Sequence, residues 1–218
     1  MAGRRVLSVR IGLILVALSL GGATVTLLTR CLAWPEDTGP VESDPQAGFR
    51  VEGVLAQLLL REAGLSSRQE PLILAADEVN AFLARHVEVR DSPVWPVRVR
   101  IYPMEVELGG PTTLGRLIEA GVAQPLAWLL PKALADRPVW IATRGTVAIT
   151  SSGRAEFVPN RAAIGRQGLP LALFWSVVGG RPRRLVWRMP RVVERVEIQP
   201  GRLVIHTRRA GAGRASPG

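Results

Sequence analysis

The chain is poor in the side chains from which most catalytic and metal sites are built. Its 218 residues include one cysteine, Cys31, two histidines, His86 and His206, and one lysine, Lys132. A single cysteine cannot form an intramolecular disulfide, which excludes a disulfide-stapled scaffold. The two histidines lie far apart in the sequence, and no two ligands have the spacing of a metal site. We therefore predict neither a metal centre nor a cofactor.

Nucleophile and phosphate-binding motifs are missing too. The sequence contains no G-x-S-x-G and no S-x-x-K. Gly109-Gly110-Pro111 is not followed by the Gly-Lys-Ser/Thr of a phosphate loop, so it is predicted only to end a strand.

Two carboxylate pairs occur, and neither indicates acid–base chemistry. Asp77 and Glu78 are explained by a helix start, and Glu105 and Glu107 alternate on the solvated face of a predicted strand. General acid–base catalysis needs one carboxyl group in an apolar pocket. We predict no catalytic residue, with a hydrolase of unrecognised site as a remote alternative.

The residues Ile11–Leu28 carry neither charge nor proline. As a helix they would rise about 27 Å, close to the thickness of the hydrocarbon core of a bilayer. A cleaved signal peptide has a shorter apolar core, of about 7–15 residues, and a small-residue cleavage site. Cys31-Leu32-Ala33 is a poor cleavage site, and residues 28–30 do not fit lipoprotein processing at Cys31. We predict a retained transmembrane anchor over residues 11–29, with a cleaved signal peptide as the alternative.

Arginines flank this anchor unequally. Arg4, Arg5 and Arg10 precede it, and Arg30 alone follows closely. The positive-inside rule then places residues 1–10 in the cytoplasm and the remainder of the chain outside it. This pattern predicts a signal-anchored, single-pass protein of the cell membrane with an extracytoplasmic, periplasmic-type domain.

The net charge of +10 is concentrated at the two ends of the chain. Residues 1–30 hold four arginines and no acidic residue, and residues 181–218 hold ten arginines against two acidic residues. The candidate anion-binding residues cluster around Trp187: Arg181, Arg183, Arg184, Arg188 and Arg191. Arginine beside an aromatic residue is typical of phosphate-binding surfaces. The alternative is an ordinary solvated strand face, because a GC-rich genome also favours arginine over lysine.

The predicted location outside the cytoplasm limits the anions that this arginine cluster could bind. Outside the cytoplasm the accessible ones are lipid head groups, lipopolysaccharide phosphates and acidic wall polymers, which argues against nucleic acid as a partner.

Helical periodicity marks three segments of the domain. Apolar residues recur at helical spacing over residues 51–63 and 76–86, and His86 lies on the apolar stripe of the second segment. That position indicates a packed, hydrogen-bonded histidine rather than a metal ligand. Residues 112–135 are also predicted to be helical, with breaks at Pro125 and Pro131.

Strand periodicity marks three others. Residues 94–108 alternate with a phase shift after Pro103, which predicts two strand halves joined by a bulge or bend at Pro103. Residues 139–150 alternate as well and are followed by a predicted partner strand over 154–159. Pro200-Gly201 suits a type II turn and predicts a terminal hairpin.

These elements predict an α+β fold: an N-terminal transmembrane helix and one domain with a curved antiparallel sheet and helices packed on one side. The predicted order is a stalk over residues 30–50, which is rich in proline and acidic residues, then the domain over 51–208 and a disordered tail over 209–218. The uncharged run at residues 169–178 is too short to span a bilayer and indicates a buried element.

Three segments carry a resemblance to a known family. They are LAADEVNAFL before a bent strand, EFVPNRAAIGRQGLPLALF after a hairpin, and the closing VERVEIQPGRLVIHTR. Behind an N-terminal anchor, this pattern resembles small membrane-anchored bacterial envelope proteins of the YpmS kind and, more loosely, the modules of tubular lipid-binding proteins. The resemblance covers roughly residues 70–208, and the insertion at 112–135 departs from it. It implies an apolar groove or a scaffolding surface rather than a catalytic centre.

The functional prediction is a non-catalytic envelope protein that holds lipid acyl chains or a partner helix in an apolar groove. The residues predicted to line the groove are Leu126, Leu129, Leu130, Leu171, Leu173 and Phe174. The partners expected are the membrane, a lipid or anionic envelope polymer, and other membrane proteins. The alternative is an interaction or scaffold subunit of a membrane assembly without a lipid ligand.

Overall fold

The computed structural model describes residues 19, 22–36, 45–86, 94, 96–120, 131–150, 153–178 and 184–208. The helices are α1, described over residues 22–32, α2 (Pro45–Glu62), α3 (Ala76–His86), α4 (Leu114–Ala120), α5 (Lys132–Ala135) and α6 (Leu171–Val178). The strands are β1 (Leu72–Ala75), β2 (Arg98–Tyr102), β3 (Glu105–Thr113), β4 (Pro138–Ile149), β5 (Arg154–Ile164), β6 (Gln167–Leu169), β7 (Leu185–Arg188), β8 (Val193–Gln199) and β9 (Arg202–Thr207).

The predicted α+β class with antiparallel strands is confirmed, but the strands form two sheets. The larger has the order β2-β3-β4-β5-β6, and β7 pairs with the other end of β5. The smaller has the order β1-β9-β8. The terminal hairpin β8–β9 turns at Pro200-Gly201 as predicted, and Gly201 has a φ of 75°, which suits glycine.

A bulge curves the larger sheet near its middle. The register between β4 and β5 shifts at Arg144/Gly145, so that β5 carries one extra residue, Asn160. Such an extra residue bends a strand and increases its twist. Gly145 is required here, because a β-carbon would overlap the backbone of Val158 and Pro159.

Helices cover one face of this sheet. At one end α4 and α6 pack against β4 and β5, with Leu117, Val139 and Phe174 almost completely buried. At the other end α3 and the smaller sheet pack against Val99 and Phe157 on the same face. The opposite face carries the charged residues of the alternating strands.

The segment around Pro103 is a hairpin and not a bent strand. Tyr102 pairs with Glu105, so the chain reverses fully through Pro103 and Met104. Met104 has a φ of 63°, a conformation that usually requires glycine. Because methionine, and not glycine, occupies this position, the sequence carries no signal for a turn here.

Two glycines predicted to end a strand lie inside β3. A β-carbon at Gly109 would lie 3.1 Å from the Trp140 indole nitrogen, and one at Gly110 would overlap the Pro96 carbonyl. The glycines therefore allow neighbouring groups to approach the strand. Pro111 is tolerated because β2 begins opposite Gly109, so that among the described residues no strand pairs with that edge of β3 at Pro111.

Helix boundaries also differ from the periodicity. α2 begins at Pro45, inside the predicted stalk, and Ala47 is buried. Residues 112 and 113 belong to β3, and the predicted helix over 112–135 is described as the short helices α4 and α5. Residues 121–130 lie outside the described residues, as do 1–10, most of the predicted anchor and the tail from residue 209. Among the described helices, none has the length and apolar character to cross a bilayer.

Candidate functional site

An apolar groove of about 320 Å³ lies between the larger sheet and α6. Its lining comes from β3, β4, α6, β7 and residues that precede β2: Val94, Val97, Leu108, Gly109, Ile141, Ala142, Thr143, Phe174, Trp175, Val178 and Leu185. The volume is at the lower end of the range of about 300–1,000 Å³ for small-molecule sites in proteins. The chemistry of the lining suits a hydrocarbon.

Strand alternation produces the floor of this groove. Ile141 and Thr143 are two residues apart on β4 and therefore project from the same face. Leu108 of β3 lies directly opposite Thr143 in the register. The three side chains form a continuous surface beneath α6.

Helix α6 forms the wall of the groove. Phe174 is 2% exposed and fixes the helix on the core. The ring of Trp175 packs edge-to-face on Phe174, with ring centroids 5.1 Å apart. The indole N–H of Trp175 is shielded from solvent and has no hydrogen-bond partner in the described part of the chain. It is the one side-chain N–H donor among the residues that line the groove.

The predicted groove residues separate in the structure. Phe174 lines the groove, whereas Leu171 packs on the core cluster that contains Leu117. Leu173 points outward and is 50% exposed. Leu126, Leu129 and Leu130 lie outside the described residues.

Sequence reasoning missed most of the true lining. The alternation predicted over residues 94–108 and 139–150 does place Leu108 and Ile141 on the apolar faces of their strands. Which helix covers them depends on a contact between segments more than thirty residues apart, for which local periodicity carries no signal.

Strand β7 borders the groove and contains three exposed apolar residues. Leu185 lines the groove and is 47% exposed, while Val186 and Trp187 are 51% and 42% exposed. Arg184 and Arg188 flank them, and both are exposed. The predicted anion-binding arginines are thus partly placed here, since Arg191 follows in the next turn and residues 181 and 183 lie outside the described residues.

The segment of residues 30–36, here called the docked segment, attaches the end of α1 to the β5–β6 turn. The backbone N–H of Arg166 donates to the Arg30 carbonyl at 2.9 Å, and its Nε donates to the Trp34 carbonyl at 2.8 Å. Its guanidinium also lies 3.2 Å from the Glu36 carboxylate. Cys31 packs on the same core cluster as α6, and its burial raises the pKa of the thiol. The start of the predicted stalk is therefore held against the domain.

Carboxylates on the opposite face of the sheet are matched by arginines. Arg100 lies 3.1 Å from Glu107, and Arg144 lies 3.7 Å from both Glu105 and Glu107. The Arg144 guanidinium also stacks on Tyr102, 3.3 Å from the ring centroid. This arrangement is an ion-pair network on a strand face, and neither carboxylate occupies an apolar pocket.

Glu78, from the other acidic pair, and His86 both have structural contacts. Glu78 is buried and accepts a hydrogen bond from the Ala75 backbone N–H at 2.9 Å, which caps α3. His86 forms a 2.7 Å hydrogen bond with Glu52, and its ring packs on Phe82. Within the described ranges, no group of three or more histidine, cysteine, aspartate and glutamate residues is arranged to hold a metal ion.

Comparison of the chain with protein-family models, with curated proteins and with solved structures finds no match. The groove and its surroundings are thus the basis for assigning a function.

Proposed function

We propose that the protein is a non-catalytic, single-pass membrane-anchored envelope protein whose domain holds a lipid acyl chain in the groove between the larger sheet and α6. The observation that carries this proposal is the apolar lining of a cavity of about 320 Å³. Each methylene transferred from water into such a lining contributes about 0.8 kcal/mol, so a short stretch of acyl chain already gives useful affinity.

The N-terminal helix supports the membrane part of the proposal. Residues 22–30 of α1 are all exposed, including Val25, Leu27 and Leu28. Apolar side chains exposed around a helix are typical of contact with hydrocarbon. We assign residues 11–29 to the bilayer, the N-terminus to the cytoplasm and the domain to the outside, in the topology expected from the flanking arginines.

Trp175 supports a lipid over a plain hydrocarbon. An indole N–H that has no partner among the described residues can donate a hydrogen bond to the carbonyl or carboxyl oxygen at the end of an acyl chain. The resemblance to YpmS-kind proteins and tubular lipid-binding modules agrees with the same function.

The test is photocrosslinking of full-length protein in native-lipid nanodiscs with a diazirine-bearing phospholipid. The expected cross-links map to peptides of β4 and α6. Val178→Phe fills the groove and should reduce labelling about tenfold, because the ring displaces about two methylenes of the acyl chain, each of which contributes about 0.8 kcal/mol. Leu173→Phe is the matched control, because it adds the same ring to the exposed side of α6 and should leave labelling unchanged.

The acyl-chain assignment would be overturned if Val178→Phe were labelled as strongly as the unsubstituted protein. It would also be overturned if a protein side chain or a partner helix were found to fill the groove. Topology is checked separately with reporter fusions after Arg208, which should be active outside the cytoplasm only.

A further inference from the structure

The outer surface of β7 combines apolar exposure with positive charge. Its Leu185, Val186 and Trp187 are each between 42% and 51% exposed. One edge of the strand pairs with β5, and the other edge has no strand partner in the part of the chain described. An edge strand with three exposed apolar residues in succession is a feature that proteins usually cover or charge.

Positive charge predominates around this strand, although the Glu156 carboxylate lies opposite Val186 and the Glu62 carboxylate accepts a hydrogen bond from the Arg191 backbone N–H. Arg188 lies directly opposite Arg154 in the β5–β7 register, where two like charges destabilise each other. Arg184 has one acidic partner, Glu156, at 3.0 Å. Arg191 is exposed in the turn that follows. An external anion would relieve the repulsion between Arg154 and Arg188.

We propose that β7 docks on the surface of an anionic bilayer. The free edge of β7 enters the interfacial layer, so that Val186 and Trp187, which project from opposite faces of the strand, both contact it. The arginines at 154, 188 and 191 bind phosphate groups of lipids. Tryptophan, aliphatic side chains and arginine together form the composition of membrane-interface segments. Residues 181–193 contain no acidic residue. This excess of positive charge favours an anionic membrane, rather than a strand of another protein, as the partner of β7.

This proposal deepens the proposed function, on which it rests for the nature of the ligand. Leu185 belongs both to β7 and to the lining of the groove. Docking at β7 thus places the entrance of the groove beside the acyl layer. The lipid class implied is a phospholipid with a net negative head group.

The position of β7 also constrains the orientation of the domain. Phe157 pairs with Leu185, and Ile164 lies next to the docked segment. They are seven residues apart on β5, or at most about 23 Å at the rise of a strand, because the bulge at Asn160 lies between them. For α1 and β7 to contact one bilayer, β5 must lie along its surface.

The test uses full-length protein with Cys31→Ser, reconstituted in vesicles of phosphatidylcholine alone or with about a third phosphatidylglycerol. An environment-sensitive fluorophore is attached at Val186→Cys, and nitroxide-bearing lipids serve as quenchers. Ile73→Cys is the matched control, because Ile73 is also a 51% exposed aliphatic residue of an edge strand, in the other sheet. We expect quenching at position 186 in anionic vesicles, reversed by high salt, and no quenching at position 73.

Charge reversal identifies the contribution of the arginines. Together, Arg188→Glu and Arg191→Glu lower the net charge by four units. They should lower the equilibrium constant for docking, measured by the quenching at position 186, by well over tenfold, at about fivefold per unit of charge. Arg68→Glu with Arg116→Glu changes the net charge equally at exposed positions elsewhere and should leave it unchanged.

Equal behaviour of positions 186 and 73, quenching that is independent of anionic lipid, or protection of position 186 by a protein would each overturn the docking proposal. Photocrosslinking in the groove, measured on the same variants, separates the two ideas. If the groove is still labelled but position 186 is not quenched, the proposed acyl-chain function stands and only the proposed docking surface is overturned.

Discussion

The Arg166 side chain joins the domain to the segment that leaves the N-terminal helix, through a 2.8 Å hydrogen bond from its Nε to the Trp34 carbonyl. The Trp34 ring in turn lies on Trp140, a buried residue of β4, with centroids 5.8 Å apart. Residues 132 positions apart in sequence thus fix where α1 meets the sheet. A domain held in this way cannot rotate freely about α1.

The first prediction concerns Gly165, in the turn that receives the docked segment. Its φ is +58°, and a β-carbon would overlap the carbonyls of Arg30 and Cys31. Gly165→Ala should therefore lower the free energy of unfolding by about 2–4 kcal/mol, from backbone strain plus steric displacement. Denaturation in detergent micelles, followed by tryptophan fluorescence, measures this change.

Gly153→Ala is the control for backbone strain alone. Its φ is +71°, but a β-carbon there would meet no atom within 4 Å. It should cost only about 1 kcal/mol. Equal losses in the two variants would show that the docked segment does not pack tightly on the turn.

The second prediction concerns the Cys31 thiol. Burial raises its pKa, because the interior disfavours the thiolate. Since the thiolate is the reactive form, alkylation of the native protein should require a higher pH than alkylation of the urea-unfolded chain. Rates of iodoacetamide modification across a pH series measure both midpoints.

The same shift predicts the sign of a pH effect on stability. The native state favours the protonated thiol, so this contribution is fully present below the pKa of the unfolded chain. It is lost as the pH rises through the higher native pKa. Cys31→Ala should remove this alkaline component of the pH dependence, and a midpoint that is identical in native and unfolded protein would contradict the prediction.

The third prediction concerns Arg61, which is 3% exposed at the end of α2. Its Nη1 donates to the Thr207 hydroxyl at 2.6 Å and to the Glu70 carbonyl at 2.9 Å, while its Nε has no partner within the described ranges. A buried guanidinium held by neutral oxygens is costly to desolvate.

Replacement by an apolar residue of similar length should therefore be tolerated. We expect Arg61→Met to change the free energy of unfolding by less than about 1 kcal/mol, and Arg61→Ala to lower it by about 2–4 kcal/mol because it leaves a cavity. Thr207→Val removes one acceptor and should cost about 1–3 kcal/mol. A large loss in Arg61→Met would show instead that the charge itself stabilises the fold.

Local sequence patterns gave correct predictions where all the residues that determine a helix or a hairpin lie within that element. The helix over residues 76–86 was predicted with the bounds observed, because its apolar stripe and acidic first turn are contained within it. The hairpins β4–β5 and β8–β9 were predicted for the same reason. At Pro103 the prediction of a bend was wrong, because a methionine occupies the position with positive φ where glycine usually marks a turn.

Strands β6 and β7 escaped prediction for another reason. Both pair with β5, β6 at Ala162–Ile164 and β7 at Arg154–Phe157. Neither strand is longer than four residues, so neither shows a usable alternation. Strand β6 follows β5 directly through the two-residue turn Gly165-Arg166. Strand β7 instead pairs with a segment roughly thirty residues earlier in the chain, a partner that no local pattern records.

The sequence by itself determined the α+β class, the inward faces of β3 and β4, the excess of arginine near the C-terminus and the apolar N-terminal segment, since each depends on composition or short-range periodicity. Only the tertiary structure decided that α6 covers Leu108 and Ile141 to leave a groove, that Leu185 joins this groove to an exposed basic strand, and that Arg166 holds the segment after α1. These three features arise from contacts between residues far apart in the chain, and their geometry depends on how the packed elements meet.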